Sequence, residues 1–397
     1  MTTTRIKSIV RNVVEKSDGA PQPFIGLEDV EGGTGRLLRE NLSVKAADDS
    51  ICHRAGDVLF GKLRPYLAKA LLLKAPGTGT SEMLVLRPDP RIDARFLLYV
   101  TLSNPWLEWA KATAYGTKMP RTSWELMGNF RIWLPSLEDQ RRIVGFLDAQ
   151  TMRIDLLLQL RDHQIRLVEE RSGSALDTAF AGSSHTPTRL KYLLAEKSRY
   201  GVLVPKFVDD GVRYIRVNDL LDLPGRADSL ARIPAELSAQ YTRTVTKPGD
   251  VLLSVVGTMG RSAVVPTELA GANVARAVAS LRPMDYVPSE LLATWLTTPE
   301  FLRQANDATG SDTAQPTLGM EDLGNFRLAW PTDKRGLDAL TQAAGRIRRQ
   351  RREVAQVLRR QTALFIERRQ ALITAAVTGQ FDVSTASGRN VTEGITA

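Results

Sequence analysis

Ile143, Leu147, Ile154, Leu158, Ile165 and Val168 are separated by 4, 7, 4, 7 and 3 positions, a spacing that lines them along one stripe of a helix. A stricter series comes later. Leu337, Leu340, Ala344, Ile347, Val354, Leu358, Phe365 and Leu372 all occupy a or d of one heptad frame, which Arg351, Gln361 and Arg368 interrupt. Such a seam requires a partner helix, and each series is the most available partner for the other. Each segment of about 36 to 40 residues predicts a helix roughly 54 to 60 Å long.

The chain before each helical series has a different texture. Short apolar runs alternate with Gly and Pro punctuation, which predicts strands and turns. A short amphipathic stretch, Arg5–Val10 or Arg189–Leu194, leads into an expected strand, Phe24–Val30 or Tyr214–Leu220. Further β-rich segments follow, then a helix-like stretch, 94–110 or 289–305.

The correspondence extends to words. Gly56-Asp57-Val58-Leu59 returns as Gly249-Asp250-Val251-Leu252, Leu86-Arg87-Pro88 as Leu281-Arg282-Pro283, and Gly128-Asn129-Phe130-Arg131 as Gly324-Asn325-Phe326-Arg327. The offset is close to half of the 397 residues, far longer than a solenoid repeat. The expected architecture is α+β: two duplicated domains, 1–132 and 183–330, separated by two long antiparallel helices, 133–182 and 331–383. These helices form a coiled-coil spacer with pseudo-two-fold symmetry, and residues 384–397 read as a disordered tail.

Composition narrows the chemistry. A net charge of +9 and a pI near 9.7 suit an anionic partner, because clustered cations displace counterions from phosphates. The N-terminus lacks an apolar stretch of signal-peptide length and no run approaches a membrane span, so a cytoplasmic location is expected. Cys52 is the single cysteine and excludes an intramolecular disulfide.

Several apparent motifs fail on inspection. Gly56 to Leu63 lacks the hydroxyl residue with which a P-loop holds magnesium, and its duplicate lacks the lysine. Gly32-Gly33-Thr34-Gly35 reads as a turn. Asn104-Pro105-Trp106 lacks the second proline of amino-methyltransferases and marks a helix interruption. No Asp or Glu is followed two positions later by Lys, as a common nuclease motif requires. His53, His163 and His185 have no metal-ligand spacing. No catalytic residue and no metal site is expected.

What remains are two loops per copy. In the first copy Lys62, Arg64 and Tyr66 follow the Gly-Asp-Val-Leu strand, and Thr117, Lys118 and Arg121 precede Gly-Asn-Phe-Arg. The second copy offers Thr258 and Arg261, then Ser311, Gln315 and Thr317. Such side chains suit phosphate oxygens and base edges. The loops differ between copies while the framework persists, so two such readers recognise different sequences. Nine arginines between Arg346 and Arg369 suit DNA phosphates or a docked subunit. A two-headed coiled-coil adaptor without DNA is the alternative.

The order of these features resembles the specificity (S) subunit of type I restriction-modification systems, the HsdS family. Leu134-Pro135-Ser136-Leu137-Glu138-Asp139-Gln140 is similar to that family's Pro-x-Leu-Glu-Glu-Gln helix start, and 369–382 is similar to its closing segment. Gly56–Tyr66 resembles its target-recognition motif. Thr332-Asp333-Lys334-Arg335 departs from the helix start in the second copy. The resemblance implies a non-catalytic subunit that reads a split, asymmetric double-stranded DNA target, one half per domain. It also implies two modification (methyltransferase) subunits that use S-adenosylmethionine, with restriction subunits that use ATP and Mg as further partners.

Overall fold

The computed structural model describes residues 3–39, 41–45, 49–182, 185–310 and 316–381. Ser311, Gln315 and the expected tail lie outside them. Two helices dominate: α1, Leu137–Phe180, and α2, Lys334–Val377. Among the described residues no helix is long and apolar enough to cross a membrane. The chain divides into two compact units, residues 1–161 with 359–397, and residues 162–358. Both divisions fall inside the long helices, so each unit contains the N-terminal part of one helix and the C-terminal part of the other. The helices are therefore antiparallel, and the fold is a duplicated α+β domain with a paired-helix spacer.

In the first unit, Thr3–Arg5 pairs antiparallel with Arg131–Trp133 and closes the domain. Between them lies a four-stranded antiparallel sheet in the order Val10–Val13, Met83–Pro88, Val58–Gly61, Ala70–Leu72. A second sheet orders Val44–Lys45, Gln22–Ile25, Gly77–Gly79 and Ile51–His53. The second unit repeats this plan. His185–Arg189 pairs with Arg327–Pro331, and the main sheet runs Arg199–Tyr200, Val278–Leu281, Val251–Ser254, Ser262–Val264. Its smaller sheet has three strands, Ala231–Ile233, Val212–Ile215 and Asn273–Val274.

The repeated words are the frame of each domain. Gly56 and Gly249 turn the chain at φ 86° and 85°, a conformation that suits glycine. The next residue, Asp57 or Asp250, is buried at the root of the central strand. The arginine of Leu-Arg-Pro reaches it from the neighbouring strand with two hydrogen bonds. These are 2.7 Å each from Arg87 to Asp57 and 2.8 Å each from Arg282 to Asp250. The same aspartates accept the backbone N–H of Arg54 and Lys247. The Gly-Asn-Phe-Arg words are used twice as well: Asn129 accepts from Lys7 Nζ at 2.8 Å and Asn325 from Lys191 Nζ at 2.9 Å. Phe130 and Phe326 join aromatic clusters, Phe60–Trp106–Phe130 and Trp295–Phe301–Phe326, packed mostly edge to face.

Local chemistry shortens two expected elements. The strands expected over 24–30 and 214–220 end at Ile25 and Ile215. Beyond them the carboxylates of Asp29 and Asp219 accept the backbone N–H three residues earlier, from Gly26 and Arg216, and fold the chain into tight turns. The helix expected over 94–110 is two helices, Ala94–Leu102 and Asn104–Ala112, and that over 289–305 is Ser289–Trp295 and Pro299–Thr309. Pro105 and Pro299 begin second helices.

Ser136 caps α1, its hydroxyl accepting the Asp139 N–H at 3.2 Å, and Asp333 caps α2 through the Gly336 N–H at 2.6 Å. Gln140 is fully buried and satisfied: its carbonyl accepts the Asp93 N–H, and its amide donates to the carbonyls of Arg91 and Pro135. In the first unit Ile143, Leu147 and Ile154 of α1 share one core with Leu372, Ile373, Ala376 and Val377 of α2. In the second, Leu176 and Phe180 share a core with Leu340 and Ala344.

The strict heptad in α2 does not hold. Val354 is 38% exposed and Ala355, eleven residues beyond Ala344, is buried. An eleven-residue step follows the 3.6-residue turn of a straight helix more closely than seven does.

Removing Arg87 leaves the Asp57 charge buried without its fork, so Arg87→Ala lowers unfolding free energy by about 3 to 5 kcal/mol. Replacing an exposed arginine such as Arg360 costs under about 0.5 kcal/mol. Urea titrations of the two variants test this, and equal midpoints would contradict it.

Candidate nucleic-acid interface

The two sequence-predicted loops of the first unit form one surface. Lys62 N–H donates to Glu82 C=O at 2.8 Å, Arg64 N–H to Pro120 C=O at 2.7 Å, and Thr122 N–H to Lys62 C=O at 3.1 Å. Tyr115 and Arg121 exchange both backbone bonds at 2.9 Å. A loop that the sequence reading missed, Thr80–Glu82, thus joins the predicted two. Tyr66, Tyr115, Thr117 and Lys118 are exposed on this surface.

The second unit has the same lattice. Val255 N–H donates to Ala277 C=O at 3.0 Å, Gly257 N–H to Pro316 C=O at 3.0 Å, and Leu318 N–H to Val255 C=O at 2.9 Å. These bonds define the equivalences: Lys62 with Val255, Arg64 with Gly257, Glu82 with Ala277, Arg121 with Thr317. Thr258 and Thr317 are exposed here.

The lattice also reassigns Arg261. Gly61 N–H donates to Lys69 C=O and Ser254 N–H to Arg261 C=O, so Arg261 corresponds to Lys69, at the end of a loop one residue shorter. Lys69 donates to the Leu27 carbonyl at 2.5 Å and Arg261 to Asn218 Oδ1 at 2.9 Å. Both cations fasten the base of the loop to the aspartate-capped turn.

Arg64 is exposed and sits at φ 49°, ψ 60°. With Ala68 at φ 50° it is one of two non-glycine residues with positive φ among those described, and they bracket the turn Pro65–Leu67 that carries Tyr66. The equivalent Gly257 has φ 71°. The shape therefore requires a left-handed residue, and the first unit fills it with an arginine at a cost of about 1 to 2 kcal/mol. Strain kept at a surface loop points to a use for the side chain.

Arg121 is held by Glu82, with Nε to Oε2 at 2.9 Å and Nη2 to Oε1 at 3.0 Å. Hydrogen bonding from Arg121 outweighs partial burial and, with the nearby Lys62 charge, holds the Glu82 carboxyl below its ordinary value.

The long helices separate their arginines into two kinds. Arg369 is buried, lies 3.5 Å from Asp155 and donates to the carbonyls of Gly33 and Thr34. The turn Gly32–Gly35 is thus a dock for α2. Arg348 is held by Glu290 and Thr294 at 2.6 and 3.0 Å. Arg346, Arg349, Arg352 and Arg360 are exposed.

No protein-family model matches the chain. It is similar to the type I restriction enzyme EcoBI specificity subunit of Escherichia coli, 31% identical over 135 residues, which is 34% of this chain and 28% of that one. It is also similar to the EcoDI specificity subunit of Escherichia coli, 24% identical over 155 residues, 38% of this chain and 34% of that one. The matched segments thus span about a third or less of these relatives. A solved chain from a study of complex assembly and conformational transition of the type I R-M system has a TM-score of 0.68 at 21% identity, covering 96% of this chain and 98% of that one. About a third of the chain is thus similar in sequence to type I restriction enzyme specificity subunits, and nearly its whole length shares a fold with a solved chain from a type I R-M system.

Proposed function

We propose that this protein is the DNA sequence-recognition subunit of a type I restriction-modification complex. One observation carries the reading: a single backbone lattice holds loops of different chemistry in the two units. Identical frames with different side chains suit two readers of different sequence, so the target is bipartite and asymmetric. Lys62, Arg64, Tyr66, Thr117, Lys118 and Arg121 read one half. Thr258, Thr317 and the segment containing Ser311 and Gln315 read the other, with Arg261 positioning its loop. Each helix of 44 residues is about 66 Å long, longer than one turn of duplex at about 34 Å, and the pair sets the spacing between half-sites.

The subunit itself performs no chemistry in this reading. It recruits two modification subunits, which bind S-adenosylmethionine and methylate the target. Restriction subunits, with ATP and Mg, complete the assembly in the cytoplasm.

The direct test is a titration of the full-length chain with duplex DNA at several salt concentrations. Binding should weaken steeply as salt rises, because cations on the loops release phosphate counterions; a flat salt response would favour the adaptor reading. Arg64→Gly should stabilise the protein by up to about 1 kcal/mol through relief of the left-handed strain. The same change should weaken binding to one half-site by about 1 to 3 kcal/mol. A loss of stability, or unchanged binding, would contradict this. Deleting one heptad from both helices, about 10 Å, should change the preferred spacer; an unchanged spacer would show that the helices do not set it.

A further inference from the structure

Glu82 is an acidic residue on a surface otherwise read as DNA-facing. It lies in the Thr80–Glu82 loop, where the two copies share no recognisable sequence. Its two carboxylate oxygens take the Nε and Nη2 edge of Arg121. A guanidinium has five N–H groups in a fixed plane. Two are committed to Glu82; the remaining three, one on Nη2 and two on Nη1, are fixed in direction and have no partner among the described residues.

A brace between loops is not needed at this point. The Lys62–Glu82 and Thr122–Lys62 backbone bonds and the Tyr115–Arg121 pair already join these loops. The two side chains are 31% and 37% exposed, and an ion pair so placed adds little stability. The second unit keeps the backbone lattice with Ala277 and Thr317 at these positions, so it stands without the pair.

Resting on the DNA-reading function proposed above, we infer that Glu82 is a specificity-determining positioning residue. It aims the free end of the Arg121 guanidinium at a guanine, whose O6 and N7 accept two parallel N–H groups in the major groove. A half-target read by the first unit then contains a guanine, and the half read by the second has no counterpart for this contact. Removing the Glu82 charge also removes local repulsion of phosphate, so sequence-independent binding should hold or strengthen while discrimination falls. A purely structural role would not separate these two effects.

The test is selection of duplexes from a randomised pool by the full-length wild-type chain and by Glu82→Gln, Arg121→Lys and Arg121→Thr, with circular dichroism confirming the fold of each. Wild type should enrich a bipartite motif. All three variants should lose preference for guanine at one position of one half, by roughly ten- to hundredfold, with the other half unchanged. Glu82→Gln should bind unrelated duplexes at least as well as wild type. The inference is overturned if Glu82→Gln keeps the guanine preference while Arg121→Thr loses it, or if both halves weaken together. A wild-type chain that enriches no motif overturns the DNA-reading function itself, and this inference with it.

Discussion

A backbone hydrogen bond does not depend on the side chain that follows it, and the loop surfaces of the two units rest on that fact. Three such bonds in each unit tie the loop after the central strand to the two loops beside it. Because N–H and C=O groups do the tying, the side chains above them can change without loss of shape. The equivalent positions carry Lys, Arg, Glu and Arg in the first unit and Val, Gly, Ala and Thr in the second, from charged to uncharged on one lattice. Side-chain bonds in the same place would have tied the shape of the loops to their chemistry.

The lattice needs a rigid base, which the buried aspartate–arginine forks provide. Each joins two strands of the main sheet at the end remote from the loops and satisfies a carboxylate that the core would otherwise exclude. The long helices extend this logic. Gln140 uses its amide fully to fix the start of α1 against the Arg91–Asp93 segment, while Arg369 and Asp155 join α2, α1 and the Gly32–Gly35 turn in the first unit. Polar groups buried this completely define where an apolar seam sits, which heptad spacing alone does not.

Much of the frame was legible because it is written twice. The repeated words marked the central strand, its neighbour and the closing strand. What they do was not legible, since the Asp57–Arg87 contact joins residues far apart in the chain. The loops were legible as divergent, cation-bearing segments. Arg261 was legible as a cation of the loop after the central strand, but its kinship with Lys69 shows only in the backbone bond to Ser254, because that loop is one residue shorter in the second copy. Glu82 gave no signal: a single carboxylate in an unrepeated loop looks like any solvated residue until Arg121 is seen upon it. Val354 misled because a heptad frame drifts against a straight helix, and the burial passed to Ala355.

If one lattice can carry either chemistry, a chain with two copies of the first domain should read two copies of its half-site. The measurement is duplex selection by a protein in which residues 3–133 replace 187–329, the boundaries that the closing strands align. The account predicts a target whose two halves have the same sequence. An asymmetric target, with the second half as in the parent protein, would contradict it.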